Sequence, residues 1–169
     1  MAIEIRPVRS EEHAEAGRVT VLAYREFGRP DDPSGWEQYL EHIADVEGRV
    51  ERTVVLVATQ DGRILGSATL ELEGRVDDDD PALRAGEAHV RMLGVHPDAR
   101  GRGIARMLMG RCFEEAAKAG KIRMTLNTTP RMQVAQAMYE RLGFVRGQDR
   151  TFPDGFVLLS YARPIEPVP

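Results

Sequence analysis

The segment from residue 87 to residue 128 constrains the fold more than any other part of this 169-residue chain. Alternating side chains predict a strand over residues 87–95, and a glycine-rich turn then leads into a helix predicted over residues 103–119. A second strand is predicted over residues 121–128. A strand–helix–strand connection within one sheet is right-handed and makes its two strands parallel. The fold must therefore contain a parallel strand pair with a helix packed on one face of the sheet.

The remaining pattern predicts antiparallel hairpins around this unit. The other predicted elements are, in chain order, a strand over 2–8, helices over 11–27 and 34–48, strands over 53–59 and 63–73, a solvated polar loop over 75–86, a helix that Thr129 caps and Pro130 begins, and strands over 144–148 and 155–161. We therefore expect one α/β domain over residues 1–163. Its central sheet is mixed but mostly antiparallel, with helices on both faces, and a proline-rich tail over residues 164–169 is expected to fray.

Composition narrows the classes of partner. The net charge of −4 provides no basic field, so neither nucleic acid nor an anionic membrane surface is an expected partner. The single cysteine, Cys112, has no partner for a disulfide, and no Cys/His cluster has zinc-site spacing, so no metal is expected. No apolar run approaches the ~18 residues of a membrane span. A cytoplasmic protein is the expectation.

Ionisable side chains occupy one face of the predicted central strand, where a strand covered on both sides would be apolar. The two predicted faces carry, respectively, Glu87, His89 and Arg91 followed by Leu93 and Val95, and Ala88, Val90 and Met92. Two interpretations are open: this face is exposed to water, or it lines a cleft. The turn that follows the strand favours a cleft.

That turn runs from Arg100 to Ala105 and enters the helix directly. Glycines at 101 and 103 let backbone amides approach an anion, and a helix start adds unpaired N–H groups. The turn therefore predicts a pyrophosphate site, with a merely structural tight turn as the alternative. A Rossmann fingerprint is excluded because Arg106 stands where a small residue is needed, and a Walker loop is excluded because its Gly-Lys-Ser/Thr is absent.

A third motif lies near the C-terminus, over residues 135–144. Helical spacing assigns Met138 and Leu142 to the core and turns Tyr139 about 100° away from them. With this segment in place the chain resembles the GCN5-related N-acetyltransferases (GNATs). Arg100-x-x-Gly103-x-Ala105 matches the Q/R-x-x-G-x-G/A signature of that family, and residues 93–97 and 135–144 match its preceding strand and its last helix and turn. The order of the predicted elements also matches, so the resemblance spans about residues 2–161.

The resemblance implies acetyl-CoA as donor and direct transfer of its acetyl group to a primary amine. A small-molecule amine is the expected acceptor. The alternatives are a protein lysine or N-terminus, or a non-catalytic CoA-binding regulatory protein. The residues that the resemblance assigns to cofactor binding are Leu93, Gly94, Val95, Arg100, Gly101, Arg102, Gly103, Ile104, Ala105 and Asn127. The parallel strands are expected to separate after Leu93 to admit the cofactor.

The resemblance also implies catalytic roles. His89, Glu87 or a water chain removes the proton from the amine, and Tyr139 protonates the departing thiolate. Where many relatives have an asparagine seven residues before this tyrosine, the chain has Met132, so Asn127 or Thr129 would supply polar contacts instead.

The side of the fold where GNAT acceptors usually approach carries aromatic and acidic residues. They are Glu26, Asp31, Asp32, Trp36, Glu37, Tyr39, Phe152 and Asp154. Together they could seat a cation, or they are scattered surface residues. Analogy with other folds that have hairpin edges adds a homodimer as an expectation.

Overall fold

A computed structural model describes residues 1–168, and Pro169, the last residue of the predicted tail, lies outside the described residues. The strands are β1 (Glu4–Pro7), β2 (Val54–Gln60), β3 (Arg63–Glu71), β4 (Glu87–Val95), β5 (Arg123–Thr128), β6 (Val145–Arg146), β7 (Arg150–Thr151) and β8 (Val157–Pro164). The helices are α1 (His13–Tyr24), α2 (Pro33–Ala44), α3 (Glu47–Val50), α4 (Ile104–Lys118) and α5 (Gln133–Arg141). No helix among residues 1–168 combines the length and the apolar composition needed to cross a bilayer.

The sheet has the order β1-β2-β3-β4-β5-β8-β6, with β7 paired to β8. Strands β4 and β5 are parallel, and the other pairings are antiparallel. Helix α4 packs on one face through Ile104, Leu108 and Cys112, which join β-strand residues in the largest core cluster. Helix α1 packs on the opposite face through Ala16 and Val19. The predicted mixed sheet with a parallel pair and helices on both faces is confirmed.

A bulge at Met92 interrupts β4. Thr69 of β3 pairs with Arg91 and Ser67 pairs with Gly94, so two steps along β3 face three steps along β4. Met92 itself has a φ of +55°, in the left-handed region that few non-glycine residues adopt. The extra residue reverses the alternation of side chains beyond it.

The predicted assignment of faces is therefore wrong beyond the bulge. Met92 packs with Leu40 and Ile43 of α2, on the same side of the sheet as α1. Leu93 and Val95 pack against the core cluster on the α4 side. The error arises because a strict two-residue period cannot anticipate an inserted residue.

Two predicted helices have different boundaries in the structure. The helix predicted over residues 34–48 divides after Ala44, and Asp45 accepts a hydrogen bond from the Gly48 backbone N–H (2.9 Å) at the start of α3. Helix α5 begins at Gln133 rather than after Thr129. The Gln136 side chain donates to the carbonyl oxygen of Thr129 (2.9 Å), which holds the preceding residues in a separate turn.

The chain end packs onto the sheet. Strand β8 continues through Pro164, and the backbone N–H of Ile165 donates to the carbonyl oxygen of Ile122 (2.8 Å). The Ile165 side chain is buried in the core cluster. The start of the proline-rich segment is thus held in place by a backbone hydrogen bond and by an apolar contact.

A partly buried ion pair ties β1 to the segment before α1. Two guanidinium nitrogens of Arg6 donate to the carboxylate of Glu12 at 2.9 and 2.7 Å, and the Arg9 backbone N–H donates to the same carboxylate (2.9 Å). The hydrogen bonds from Arg6 and the backbone, together with the positive charge, lower the pKa of Glu12 to about 2. The pair fixes the helix whose C-terminal end reaches the candidate site.

We expect Glu12→Gln to lower the free energy of unfolding by about 2 kcal/mol at pH 7. Since the folded-state pKa is depressed, the stabilisation is present above the unfolded pKa of about 4.5 and is lost as the pH falls toward 2. The two proteins should therefore converge in urea unfolding as the pH is lowered through that window. Glu11→Gln, which removes an exposed neighbouring carboxylate, is the control. Equal stability of Glu12→Gln and wild type at pH 7 would contradict the assignment.

Candidate active site

A cavity of about 520 Å³ opens on the α1 and α2 side of the sheet. Its walls come from β4, β5, the ends of α1 and α2, the turn before α5 and the hairpin before β8. Lining residues include Tyr24, Arg29, Asp31, Asp32, Trp36, Tyr39, His89, Arg91, Met92, Asn127, Thr129, Arg131, Met132, Asp154 and Phe156. We call this cavity the cleft.

The parallel strands separate at the cleft. Pairing of β4 with β5 ends at Val90 and Leu126, whereas β5 continues to pair with β8 through Thr128. The separation was predicted after Leu93 but begins three residues earlier, because the bulge at Met92 turns β4 away. From Arg91 to Val95 the side of β4 that faces β5 has no strand partner among residues 1–168. These peptide groups are available to an extended ligand.

The turn from Arg100 to Gly103 presents a helix start without a side-chain cap. Gly101 and Gly103 have φ values of +78° and +76°, and no atom of the described residues lies within 4 Å of an added Cβ at either position. Conformation rather than space therefore requires glycine at both. No side chain in the described part of the chain caps α4, so the first N–H groups of the helix have no partner from within the helix. This geometry suits a diphosphate.

The two arginines of the turn are engaged with neighbouring elements. Arg100 forms an ion pair with Glu26 and donates to the carbonyl oxygen of Ala23 (3.3 Å). Arg102 donates to the side-chain oxygen of Gln60 (2.6 Å). Both side chains are largely exposed, so they fix the turn against α1 and β2 and also add positive charge beside it.

Close packing links α1 to the strand that precedes the turn. A Cβ atom at Gly94 would lie 2.7 Å from the Cβ of Ala23 and 3.6 Å from the Tyr24 ring. Only glycine allows this approach. It places the Tyr24 phenol in the wall of the cleft, where burial raises its pKa well above the ordinary value and keeps it protonated. Sequence periodicity did not single out Tyr24.

His89 is buried and lies in the wall of the cleft, 6% exposed. Its Nδ1 lies 2.7 Å from the hydroxyl oxygen of Thr125, the residue opposite it in β5. Burial, with the positive charges of Arg75 and Arg91, lowers the pKa of His89 to about 3. The imidazole is therefore neutral over the physiological range.

Glu87 and Tyr139 lie apart from the lining of the cleft. Glu87 is at the other end of β4 and pairs with Arg123 (2.8 Å). Tyr139 is the buried residue of α5 and packs against Phe144 and Tyr161, with ring centroids 5.9 and 6.0 Å away. Burial raises the pKa of its phenol. Of the three predicted catalytic residues, the structure places His89 in the cleft.

The polar residues predicted to replace the family asparagine do lie at the cleft. Asn127 lines it from β5, and its side-chain oxygen accepts a hydrogen bond from the Ser160 hydroxyl (3.2 Å). Thr129 and Met132 line it from the turn before α5. The sulfur of Met132 lies 3.3 Å from the Thr128 hydroxyl, so this side chain is held at the mouth of the strand separation.

Arg91 binds the acidic loop that was predicted to be solvated. Its guanidinium lies 2.8 Å from Asp77 and 2.8 Å from Asp80, and 3.9 Å from the fully buried Glu71. Burial alone would lower the pKa of Arg91, but the three carboxylates more than offset that effect and raise it. The prediction of a solvated loop is wrong for these residues, because a charge on β4 draws the loop over the sheet.

Glu71 anchors the same loop from β3. One carboxylate oxygen accepts from the Val76 backbone N–H (2.6 Å) and from Arg75 (3.2 Å). The other, Oε1, is buried and has no hydrogen-bond partner among residues 1–168. The anchor holds Arg75 and Asp80 in the wall of the cleft. Glu71 was not among the predicted site residues, since a single acid near the end of a strand carries no local signal.

The predicted acceptor residues divide into two groups. Asp31, Asp32, Trp36, Tyr39 and Asp154 line the cleft. Glu26 and Glu37 instead pair with Arg100 and Arg25, and Phe152 stacks on Phe156 with ring centroids 5.8 Å apart. Arg29 and Arg131, which sequence analysis did not select, also line the cleft from loops without periodic pattern.

Comparison of the sequence with models of known protein families identifies the family of this chain. The model of the acetyltransferase (GNAT) family matches residues 18–144, more than half of the chain. The chain belongs to the GNAT family. The predicted resemblance is confirmed, and so is the activity that defines the family: this is an acetyl-CoA-dependent N-acetyltransferase.

Solved GNAT structures share the fold. The ribosomal-protein-S18-alanine N-acetyltransferase of Escherichia coli is 20% identical, with a TM-score of 0.69 over 99% of this chain and 97% of that one. The yncA protein of Salmonella typhimurium, solved with its cofactor acetyl-CoA, is 19% identical with a TM-score of 0.68 over 98% and 95%. The PaiA N-acetyltransferase of Thermoplasma acidophilum, solved with coenzyme A, is 18% identical with a TM-score of 0.66 over 95% and 98%.

In this GNAT chain, Arg91→Gln is expected to lower the free energy of unfolding by about 3 kcal/mol, because it removes positive charge from the buried Glu71 and the partly buried Asp77 and Asp80. Urea unfolding measures the change. Arg52→Gln is the matched control, since Arg52 pairs with Asp78 of the same loop (3.3 Å) but both side chains are exposed. That variant should stay within about 1 kcal/mol of wild type. Equal effects of the two substitutions would show that Arg91 does not hold the loop.

Proposed function

We propose that this enzyme transfers the acetyl group of acetyl-CoA directly to the primary amine of a small molecule. The observation that carries the proposal is the bridged rim of the cleft, which restricts the size of the acceptor. A peptide substrate needs a groove that stays open along the chain on both sides of the reacting residue. A cleft of about 520 Å³ is within the range of small-molecule sites.

Two arginine side chains form the rim. Arg131, in the turn before α5, donates to the carbonyl oxygen of Gly28 in the loop after α1 (2.7 Å). Arg29, in that loop, binds Asp154 of the hairpin before β8 (3.1 Å) and lies 4.5 Å from the centre of the Phe156 ring. Three segments that are far apart in sequence are thus connected across one side of the cleft.

The inner wall suits the ammonium form in which most primary amines arrive. Asp31 and Asp154 are already paired with Arg29. Asp32 accepts the Gly35 backbone N–H (3.1 Å) and has no ion-pair partner within residues 1–168. It lies in the same wall as Trp36, whose ring electrons favour a nearby cation. We infer that Asp32 and this aromatic wall receive the acceptor.

The donor is assigned to the surface beside the cleft, where β4 has a free edge and helix α4 begins. In the proposal the uncapped N–H groups of Gly103, Ile104 and Ala105, with the rest of the turn from Arg100, bind the pyrophosphate. The free edge of β4 from Leu93 to Val95 binds the pantetheine arm, with Asn127 as a polar contact from β5. Preorganised backbone donors of this kind stabilise charge that develops on a carbonyl oxygen.

Acetyl-CoA supplies the acetyl group as a thioester: the amine nitrogen forms the new C–N bond, the C–S bond breaks, and the proton lost by the amine ends on the thiol. His89 is the predicted group that faces the acceptor, and its Nε2 would accept a hydrogen bond from the amine. An imidazole with a pKa of about 3 is neutral, so it can orient the amine through a hydrogen bond but cannot keep a proton taken from the amine. An acceptor that arrives as the ammonium form first releases one proton to water in the cleft. Water also takes the proton lost during transfer, and the equivalent proton reaches the thiolate through Tyr139, the predicted donor. Glu87, held outside the cleft by Arg123, is the weaker candidate.

Location and assembly complete the proposal. The single cysteine, Cys112, is buried within α4, and burial raises the pKa of its thiol to about 12. A free, unreactive cysteine is typical of a reducing compartment, and we propose a cytoplasmic enzyme. The homodimer stays a prediction.

Coenzyme A release with a panel of acceptors tests the proposal. Small mono- and diamines and amino acids are compared with peptides that carry either a free N-terminus or a lysine. We expect kcat/KM for the best small amine to exceed that for any peptide by about 100-fold, equivalent to about 3 kcal/mol of binding in the transition state. Faster peptide turnover would favour a protein acceptor, and acetyl-CoA binding without any turnover would favour a regulatory protein.

Tyr139→Phe tests the predicted proton donor. We expect kcat to fall about 100-fold, because the hydroxyl group that donates the proton is lost. Thermal stability should change little, because the aromatic ring stays in the core. Tyr161→Phe is the matched control. It removes a hydroxyl group from the same aromatic cluster, where the Tyr161 hydroxyl donates to the Glu140 carboxylate (3.2 Å). That variant should keep wild-type kcat. If Tyr139→Phe also turned over at the wild-type rate, Tyr139 would have only a packing role.

A further inference from the structure

Thr125 and His89 form a pair across the parallel strands, one register position before the last pair, Val90 and Leu126, after which β4 and β5 separate. They are opposite each other in the β4–β5 register. The hydroxyl oxygen of Thr125 lies 2.7 Å from His89 Nδ1 and 3.3 Å from the carbonyl oxygen of Ala88. One hydroxyl therefore contacts both a ring nitrogen and a carbonyl oxygen.

The available protons decide the direction of these hydrogen bonds. A threonine hydroxyl has one proton to donate, and the carbonyl oxygen of Ala88 can only accept. When the hydroxyl donates to Ala88, its oxygen is free to accept a proton from His89 Nδ1, and both contacts are hydrogen bonds. When it donates to Nδ1 instead, the contact with Ala88 is lost. The geometry therefore favours the tautomer of His89 that carries its proton on Nδ1.

The other ring nitrogen, Nε2, then has a lone pair. His89 lines the cleft, and among the described residues no protein group bonds to Nε2. The charged groups around the ring are Arg91 on its own strand, Glu71 opposite it on β3, and Arg75 and Asp80 from the loop over the sheet. From β5 the contact is the neutral Thr125. Burial and the two arginines keep the ring uncharged, so its tautomer determines what it offers to a ligand.

We propose that Thr125 is a positioning residue that holds His89 in the Nδ1–H tautomer, so that an unprotonated Nε2 faces the acceptor amine. The first part concerns the protein alone. The second part rests on the proposed function, in which the amine occupies the cleft beside His89. In the wrong tautomer Nε2 would carry a hydrogen, which would oppose an amine N–H rather than accept it.

Nitrogen NMR of ¹⁵N-histidine-labelled protein tests the first part. The signals of His89 are assigned by their loss in His89→Gln. We expect wild type and Thr125→Ser to show a protonated Nδ1 and an unprotonated Nε2. Thr125→Val has the same shape as threonine without the hydroxyl, and it should show a mixture or the reverse tautomer. A protonated Nε2 in wild type, or an unchanged tautomer in Thr125→Val, would overturn the proposal.

Steady-state kinetics tests the second part with the same variants. We expect Thr125→Val to lower kcat about tenfold or more, with KM for acetyl-CoA within about threefold of wild type, and Thr125→Ser to restore kcat. Circular dichroism melting checks that all three proteins fold. If the tautomer changes in Thr125→Val but kcat does not, the contact between Nε2 and the amine is overturned while the positioning of His89 stands. Acetyl transfer measured in wild type keeps the proposed function separate from both results.

Discussion

The bulge at Met92 directs β4 away from β5, and the candidate site lies where the two strands separate. One inserted residue ends the parallel pairing at Val90 and leaves the rest of the strand with a free edge. It also moves the Met92 side chain onto the α2 side of the sheet, whereas Leu93 packs toward α4. A single local distortion thus produces both a slot for an extended donor and a cleft for an acceptor.

Partly buried ion pairs hold the walls of the cleft in place. Arg91 and the acids of residues 71–80 form a compact ionic cluster that folds the acidic loop over β3 and β4. Such a cluster adds little net stability but is costly to break, so it is suited to holding a loop in one position. Burial, together with the positive charges of Arg75 and Arg91, lowers the pKa of His89 and keeps the ring neutral. Packing of Ala23 against Gly94 brings the end of α1 to the opposite wall.

The parts of the site that depend on backbone conformation and chain order within one segment could be predicted from the sequence. Gly101 and Gly103 mark a turn that needs positive φ, and the strand–helix–strand unit requires a parallel pair. The bulge could not be foreseen, since Met92 has no intrinsic preference for its left-handed conformation and the shift of register around it exists only in the folded sheet. The attachment of the loop to Arg91 depends on charges that are distant in sequence. The contact between Thr125 and His89 depends on a register that only the folded sheet defines.

Amide hydrogen exchange measures whether the backbone groups exposed by the bulge and by the uncapped helix bind the donor. Exchange rates are measured residue by residue with and without saturating acetyl-CoA. With acetyl-CoA bound, we expect slower exchange at Leu93–Val95 and at the amides of residues 103–106, with little change on β2. If acetyl-CoA binds while these amides exchange as fast as before, the donor lies elsewhere and neither the bulge nor the helix start forms its site.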